Sequence, residues 1–144
     1  MIVRERYISQ IRPFYESDLI KVITGIRRCG KSVVLEQIKN ELITQGKDII
    51  YLNFEDRHIS SQITNDIELI EYIEKQIVSE NKFYVFLDEV QMVKDWNLAC
   101  RSLRLRNISL FITGSNSKML SREFTKFEVA NCDLKKGSRW IFAP

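Results

Sequence analysis

Histidine and paired cysteines are scarce in this sequence, and each scarcity excludes a class of site. A single histidine, His58, and three cysteines, Cys29, Cys100 and Cys132, are spread over 144 residues. No two cysteines form a C-x-x-C pair, so neither a zinc site nor a disulfide framework is supported. Three unpaired thiols favour a reducing compartment, and we therefore expect a cytoplasmic protein. His58 stands in polar surroundings and is expected to be exposed in a loop.

A strong charge of one sign and long apolar runs are also lacking. The 22 basic and 19 acidic residues leave a net charge of +3, which gives no support for a nucleic-acid partner. No apolar run approaches the roughly 20 residues that span a bilayer. The N-terminus reads MIVRERYISQ, with charges where a secretory signal would be apolar. We therefore expect no membrane contact.

Strand and helix patterns alternate along the chain. Short apolar runs predict four strands, at residues 21–24, 49–54, 83–87 and 109–113. Apolar residues at helical spacing predict helices at residues 4–11, 31–44, 66–78 and 96–105. Asn65 or Asp66 is expected to cap the third helix and Asp95 the fourth. The alternation predicts an α/β fold, a three-layer sandwich whose mostly parallel sheet is covered by helices on both faces.

Between the first predicted strand and the second predicted helix, the sequence fits the pattern G-x-x-x-x-G-K-[ST]. The segment, residues 25–32, consists of Gly25-Ile26-Arg27-Arg28-Cys29-Gly30-Lys31-Ser32. The glycines let successive backbone N–H groups face one anion, and the helix N-terminus adds a positive partial charge. Lys31 is expected to reach the β- and γ-phosphates, and the Ser32 hydroxyl to ligate Mg²⁺. This P-loop predicts binding of ATP and Mg²⁺.

An acidic pair, Asp88 and Glu89, directly follows the strand predicted at residues 83–87. Ligands of open α/β sheets bind at the carboxyl ends of the strands. Asp88 is expected to hold Mg²⁺ through water, and Glu89 to orient or deprotonate the attacking water. Such a pair is also typical of an ordinary buried strand, but the P-loop in the same chain favours the catalytic interpretation.

Polar residues also follow the fourth predicted strand, in the stretch TGSNS at residues 113–117. Ser115 or Asn116 could sense the γ-phosphate, or either side chain could cap a following helix. Both interpretations stay open.

Weaker features have a functional and an ordinary interpretation. Arg27 and Arg28 could contact phosphate or a neighbouring subunit, or lie on a solvated loop. Glu55 and Asp56 could contact magnesium-bound water, although a polar loop is the simpler interpretation. Trp96 fits a packing residue better than a platform for adenine.

Together these segments resemble the prokaryotic AAA-type P-loop ATPases that carry a second, poorly characterised C-terminal domain. The matching segments are Arg6-Tyr7, ITGIRRCGKS at 23–32, YLNFED at 51–56, FLDEVQMVKDW at 86–96 and ITGSNSKML at 112–120. The resemblance predicts an AAA-type domain at residues 1–121, including a short N-terminal helical segment, and a divergent tail at residues 122–144. It implies the sheet order 5-1-4-3-2, with the P-loop strand internal.

The resemblance also implies the roles of the site residues. Lys31 and Glu89 would be catalytic, and residues 25–32 would bind the nucleotide. Ser115 and Asn116 remain the candidate sensors of the γ-phosphate. Ser32 and Asp88 would hold the metal.

The family pattern is lost after about residue 124, where members continue with a Gly-Arg turn and a fifth strand. We therefore expect a form truncated after the sensor strand, with the fifth strand missing or degenerate. Residues 127–130 or 140–143 could cover the edge of the P-loop strand, but neither segment has the length or pattern of a good strand. An open edge on the P-loop strand would favour self-association. AAA-type enzymes usually place an arginine on the γ-phosphate, and the lack of a counterpart to the family's Gly-Arg turn would weaken ATP hydrolysis.

Two functions from different classes follow. The first is an ATP-binding domain that hydrolyses ATP with Mg²⁺. The alternative is a truncated nucleotide-binding remnant without significant hydrolysis. A small-molecule kinase is disfavoured, because kinases pass the phosphoryl group to a substrate and usually lack the adjacent Asp-Glu pair.

Overall fold

A computed structural model describes residues 8–9, 11–17, 19–24, 31–114, 129–130 and 139–143. Within these ranges the strands are β1 (Ile20–Thr24), β2 (Asp48–Asn53), β3 (Phe83–Asp88), β4 (Ile108–Gly114), β5 (Val129–Ala130) and β6 (Arg139–Ala143). The helices are α1 (Lys31–Thr44), α2 (Arg57–Gln62), α3 (Asp66–Gln76) and α4 (Trp96–Leu103). Short 3-10 helices lie at Arg12–Phe14 and Val90–Met92. The four strands predicted from apolar runs are therefore all present.

The strands form one sheet in the order β2-β3-β4-β1-β6-β5. β1 to β4 are mutually parallel, which confirms the predicted α/β sandwich and the 1-4-3-2 part of the predicted order. Because these four strands run in one direction, their carboxyl ends meet at one edge of the sheet.

The expectation of an open edge on β1 is wrong. β6 pairs antiparallel with β1 over the whole strand, from Ile20 opposite Ala143 to Thr24 opposite Arg139. β5 then pairs with β6. The backbone groups of β1 are thus satisfied on both sides, which removes the reason given by the sequence for self-association through this strand.

Two apolar clusters cover the sheet, one on each face. The first packs α3 and α4 against the alternate strand residues of one face, including Val85, Leu87 and Ile112. The second packs α1 and the N-terminal segment against Phe86 and Phe111, whose rings stack with centroids 4.7 Å apart. Strands buried on both faces explain why the sequence of β3 and β4 is almost continuously apolar.

The N-terminal segment is fixed to α1 and to the sheet by polar contacts. Arg12 forms two parallel hydrogen bonds to the carboxylate of Glu41, each 2.7 Å long. The buried Lys21 of β1 donates from Nζ to the Ser17 carbonyl oxygen at 2.9 Å and to Ser109 Oγ at 2.7 Å. These bonds satisfy an ammonium group that would be costly to bury alone.

The ends of the helices agree with one of the predicted caps and not with another. α1 is followed by Gly46 at φ +79°, the left-handed conformation in which a glycine commonly ends a helix. Asn65 caps α3 by accepting a hydrogen bond from the backbone N–H of Glu68. Asp95 precedes α4, but its backbone is left-handed and its side chain makes no cap, so the predicted capping role is wrong. No helix in the described part of the chain has the length and apolar character needed to cross a membrane.

Candidate functional site at the carboxyl edge of the sheet

Of the described members of the predicted site, the acidic pair lies at the edge where the parallel strands end. β1 ends at Thr24, β3 at Asp88 and β4 at Gly114. The P-loop residues 25–30 and the sensor candidates Ser115 and Asn116 lie outside the described residues. Lys31 and Ser32 begin α1, and the Ser32 side chain is exposed. α1 begins at Lys31, shortly after β1 ends at Thr24, and it packs on the face of the sheet that carries Phe86 and Phe111.

Asp88 is buried, with 1% of its surface exposed, and both of its carboxylate oxygens accept a hydrogen bond. Thr113 Oγ1 donates to Oδ1 at 2.6 Å, and the Tyr51 hydroxyl donates to Oδ2 at 3.0 Å. No cationic side chain among the described residues pairs with this carboxylate. The orientation of the carboxylate is therefore fixed by two neutral donors.

Glu89 leaves the strand in an unusual backbone conformation. Its φ and ψ are 57° and 51°, in the left-handed region, which costs a non-glycine residue on the order of 1 kcal/mol or more. Its N–H donates to Thr113 Oγ1 at 2.9 Å, and its Oε2 accepts from Gln91 Nε2 at 2.6 Å. Strained backbone of this kind concentrates at functional sites.

Thr113 joins the two acidic residues. Its hydroxyl accepts from the Glu89 N–H and donates to Asp88, so one side chain sets the position of both. Thr113 is itself fully buried at the end of β4. A change at this position would therefore disturb Asp88 and Glu89 together.

Tyr51 reaches Asp88 from β2, the neighbouring strand. Burial, and then the charge and hydrogen bond of Asp88, raise the pKa of the Tyr51 hydroxyl above its usual range. The hydroxyl is protonated and donates to Asp88. Its ring stacks on Phe86 with centroids 6.1 Å apart, and Lys39 Nζ of α1 lies 4.7 Å from its centre.

The ordinary interpretation holds for two of the weaker candidates. Asp56 caps α2 by accepting from the His58 N–H at 2.9 Å, and His58 is exposed, on this short helix rather than in a loop. Trp96 is 4% exposed and belongs to the apolar cluster under α3 and α4, which makes it a packing residue. Arg27 and Arg28 fall outside the described residues.

Sequence reasoning assigned no role to Tyr51, Thr113 or Gln91. All three stand inside segments that carried the family resemblance, so those segments were the available signal. The alignment of strands supplies what was missing. Tyr51 is in register with Phe86, two residues before Asp88, and therefore lies on the same face of the sheet as the carboxylate.

Comparisons with known proteins agree with this architecture. A family model described as an AAA domain matches residues 17–131. A protein of Haemophilus influenzae described as uncharacterised is 41% identical over 129 residues, covering 85% of this chain and 32% of the relative. Another such protein, from Methanocaldococcus jannaschii, is 42% identical over 104 residues, covering 72% of this chain and 23% of the relative. The chain thus spans about a third of the first relative and about a quarter of the second.

A solved structure shares the fold. It is a Walker-type ATPase of Pyrococcus abyssi, with a TM-score of 0.52 and 17% identity, over 85% of this chain and 47% of that one. The family match spans most of the chain. The order of the sheet agrees with it, as do Asp88 and Glu89 at the end of β3. The chain therefore belongs to the AAA-type P-loop ATPase family.

Proposed function

We propose that this domain binds ATP together with Mg²⁺ and hydrolyses ATP to ADP and phosphate. The observation that carries the proposal is the buried Asp88 carboxylate, held by two hydroxyl donors at the end of β3. Burying a charged group without a counter-ion costs roughly several kcal/mol of free energy. A cation brought to this edge with a nucleotide would remove that cost.

The residues present fit magnesium. Mg²⁺ prefers oxygen ligands and binds proteins through one or two carboxylates plus substrate phosphates. Asp88 offers such a carboxylate, and the exposed hydroxyl of Ser32 stands in the first turn of the helix on the same face. When bound, the metal neutralises charge on the β- and γ-phosphates. Residues 25–32 would bind the phosphates, and Lys31 would add a positive charge beside them.

Glu89 is the proposed group that orients or deprotonates the attacking water. It directly follows Asp88, and its carboxylate is held by Gln91 while its backbone is held by Thr113. A carboxylate fixed in this way loses little freedom when it accepts a proton from water. The left-handed backbone at Glu89 supports a role for this residue beyond packing.

The wider assignments are proposals as well. We propose that residues 1–121 form the nucleotide-binding domain, that residues 122–144 form a divergent tail whose strands β5 and β6 extend the sheet of that domain, and that the protein works in the cytoplasm. Cys100 is a free, buried thiol, and burial raises its pKa to about 12, which suits a packing residue in a reducing compartment. Self-association has no support from the edge of β1, since β6 covers it.

Calorimetry of ATP binding with Mg²⁺ tests the proposed site. Lys31→Ala removes the charge next to the phosphates and should weaken ATP binding by roughly tenfold or more. Lys47→Ala, which removes the same charge from an exposed position after α1, is the matched control and should bind ATP normally. Equal ATP affinity of Lys31→Ala and the unchanged protein would reject the P-loop assignment.

Single-turnover hydrolysis separates the enzyme from the binding remnant. Glu89→Gln keeps the shape of the side chain but removes the carboxylate, so ATP should stay bound while hydrolysis slows on the order of 10²-fold or more. Hydrolysis at the unchanged rate would assign water activation to another group. Tight binding with no measurable hydrolysis in the unchanged protein would support the remnant instead.

A further inference from the structure

Tyr51 occupies a place in the site that packing alone does not explain. It lies on β2, and its partner in the strand register is Phe86, two residues before Asp88. Its side chain nevertheless reaches along the sheet, so that its hydroxyl donates to Asp88 Oδ2 at 3.0 Å. Tyr51 of β2 therefore contacts the carboxylate at the end of the neighbouring strand, β3.

The ring of Tyr51 is held independently of its hydroxyl. It stacks on Phe86 at an interplanar angle of 24°, and Lys39 Nζ of α1 lies over it. Lys39 is in turn 3.7 Å from Glu36, one turn earlier on the helix. Because these contacts involve the ring, a phenylalanine at position 51 would keep them and lose only the hydrogen bond.

We propose that Tyr51 is a positioning residue that, with Thr113, orients the Asp88 carboxylate for a divalent cation. This inference rests on the proposed role of Asp88 in holding Mg²⁺. A carboxylate that accepts one hydrogen bond on each oxygen cannot rotate freely, so its remaining lone pairs keep a fixed direction. The charge of Asp88 would thus be presented in one orientation.

The chemistry of the two donors suits a metal-carrying carboxylate. Tyr51 and Thr113 are neutral, so they orient Asp88 without neutralising it. An arginine or lysine in the same place would compete with the metal for the charge. Groups of this kind, which contact a ligand rather than the metal, typically change metal affinity by roughly 10–100-fold when they are removed.

Tyr51 gives a cleaner test than Thr113. The Thr113 hydroxyl contacts both Asp88 and the Glu89 N–H, whereas the Tyr51 hydroxyl contacts Asp88. Tyr84 provides a matched control, because its hydroxyl also donates to a carboxylate, that of Glu16, near the start of β3. Tyr84→Phe therefore removes the same atom from the opposite end of the acidic strand.

The experiment measures binding of a fluorescent ATP analogue as Mg²⁺ is titrated, and again in EDTA. Tyr51→Phe should raise the Mg²⁺ concentration required for half-saturation by about tenfold or more. Its affinity for the analogue in EDTA should match that of the unchanged protein. Tyr84→Phe should match the unchanged protein in both conditions.

The outcomes separate this inference from the proposed function. If the unchanged protein binds the analogue equally well with and without Mg²⁺, the proposed metal site fails, and the role of Tyr51 fails with it. If the unchanged protein needs Mg²⁺ but Tyr51→Phe has the same Mg²⁺ requirement, only the inference is overturned. If Tyr51→Phe binds the analogue in EDTA more weakly than the unchanged protein does, the inference is also overturned, since Tyr51 would then have a general structural role.

Discussion

At the scale of single residues, Gln91 holds the carboxylate of Glu89, the residue proposed to activate water. Its Nε2 donates to Glu89 Oε2 at 2.6 Å, and its Oε1 is buried with no hydrogen-bond partner among the described residues. A hydrogen bond to a charged group contributes about 1.5–3 kcal/mol. Gln91→Ala should therefore weaken the hold on the Glu89 carboxylate and slow single-turnover hydrolysis by roughly 10–100-fold, with MgATP affinity unchanged.

Gln62→Ala is the control for this experiment. Gln62 is an exposed residue at the end of α2, and its amide contacts only the ring of His58 among the described side chains. It should hydrolyse ATP at the unchanged rate. A Gln91→Ala protein that hydrolyses as fast as this control would show that Glu89 needs no fixing, and a loss of MgATP binding would assign Gln91 to the binding site itself.

How much of the site was predictable depends on how local each signal is. Asp88 and Glu89 were found because an apolar strand followed by acidic residues is a continuous pattern, and their position at the carboxyl edge follows from parallel strands. Tyr51 and Thr113 were not found, since their hydroxyls meet Asp88 from two other strands. A single sequence predicts that strands exist, but it does not give the register that brings side chains of different strands together.

At the scale of elements, α3 begins with a capping arrangement that depends on pH. Asn65 Oδ1 accepts from the Glu68 N–H at 2.9 Å, and Glu68 Oε1 accepts from Thr64 N at 2.9 Å and Thr64 Oγ1 at 2.6 Å. The bonds from Thr64, the side-chain bond first, lower the pKa of Glu68. The charged form of Glu68 is therefore preferred in the folded state.

This shift fixes the sign of a stability prediction. A carboxyl group whose pKa is lowered on folding contributes stability above its unfolded pKa, about 4.3 for glutamate. That contribution is lost as the pH falls through the lower, folded-state pKa. Glu68→Gln should therefore reduce the free energy of unfolding at neutral pH, and the difference from the unchanged protein should shrink as the solution is acidified.

Urea denaturation at neutral pH and below about pH 4 measures the effect. Glu71→Gln is the matched control, because Glu71 is an exposed glutamate of the same helix with no side-chain hydrogen bond among the described residues. It should show no comparable pH-dependent difference. A difference for Glu68→Gln that stays constant with pH, or is present only in acid, would contradict the capping role.

Elements were predicted well where their patterns are long and poorly where they are short. The bounds of β1 to β4 and of α1 agree with the apolar runs and the helical spacing. The six-residue α2 was missed, since RHISSQ carries little periodicity. Asp95 was predicted to cap α4 from its residue type alone. Its backbone is left-handed, and its side chain forms no capping hydrogen bond.

At the scale of the whole molecule, the sheet is completed by a segment far along the chain from the strand it covers. β6 pairs with β1 in antiparallel register, and β5 continues the sheet beyond it. The local sequence of β6, RWIFA, lacks the pattern of a good strand, so its pairing depends on the edge that β1 presents. Such tertiary context is what single-sequence patterns omit.

The role of β6 leads to a prediction about folding. A chain ending at residue 138 would leave Ile20 to Thr24 without a partner on one side. At about 1 kcal/mol per lost hydrogen bond, the loss over five paired residues should be on the order of 3 kcal/mol or more. The exposed edge should also make the shortened protein self-associate, because unpaired strand edges add further strands.

Urea denaturation and sedimentation of the shortened and unchanged chains test this directly. A chain lacking only Pro144, which follows β6, is the control and should match the unchanged protein in stability and mass. Because β1 leads into the P-loop, the shortened chain should also bind ATP more weakly at equal protein concentration. A shortened chain that stays monomeric and unfolds at the same urea concentration as the control would show that β1 needs no cover from β6.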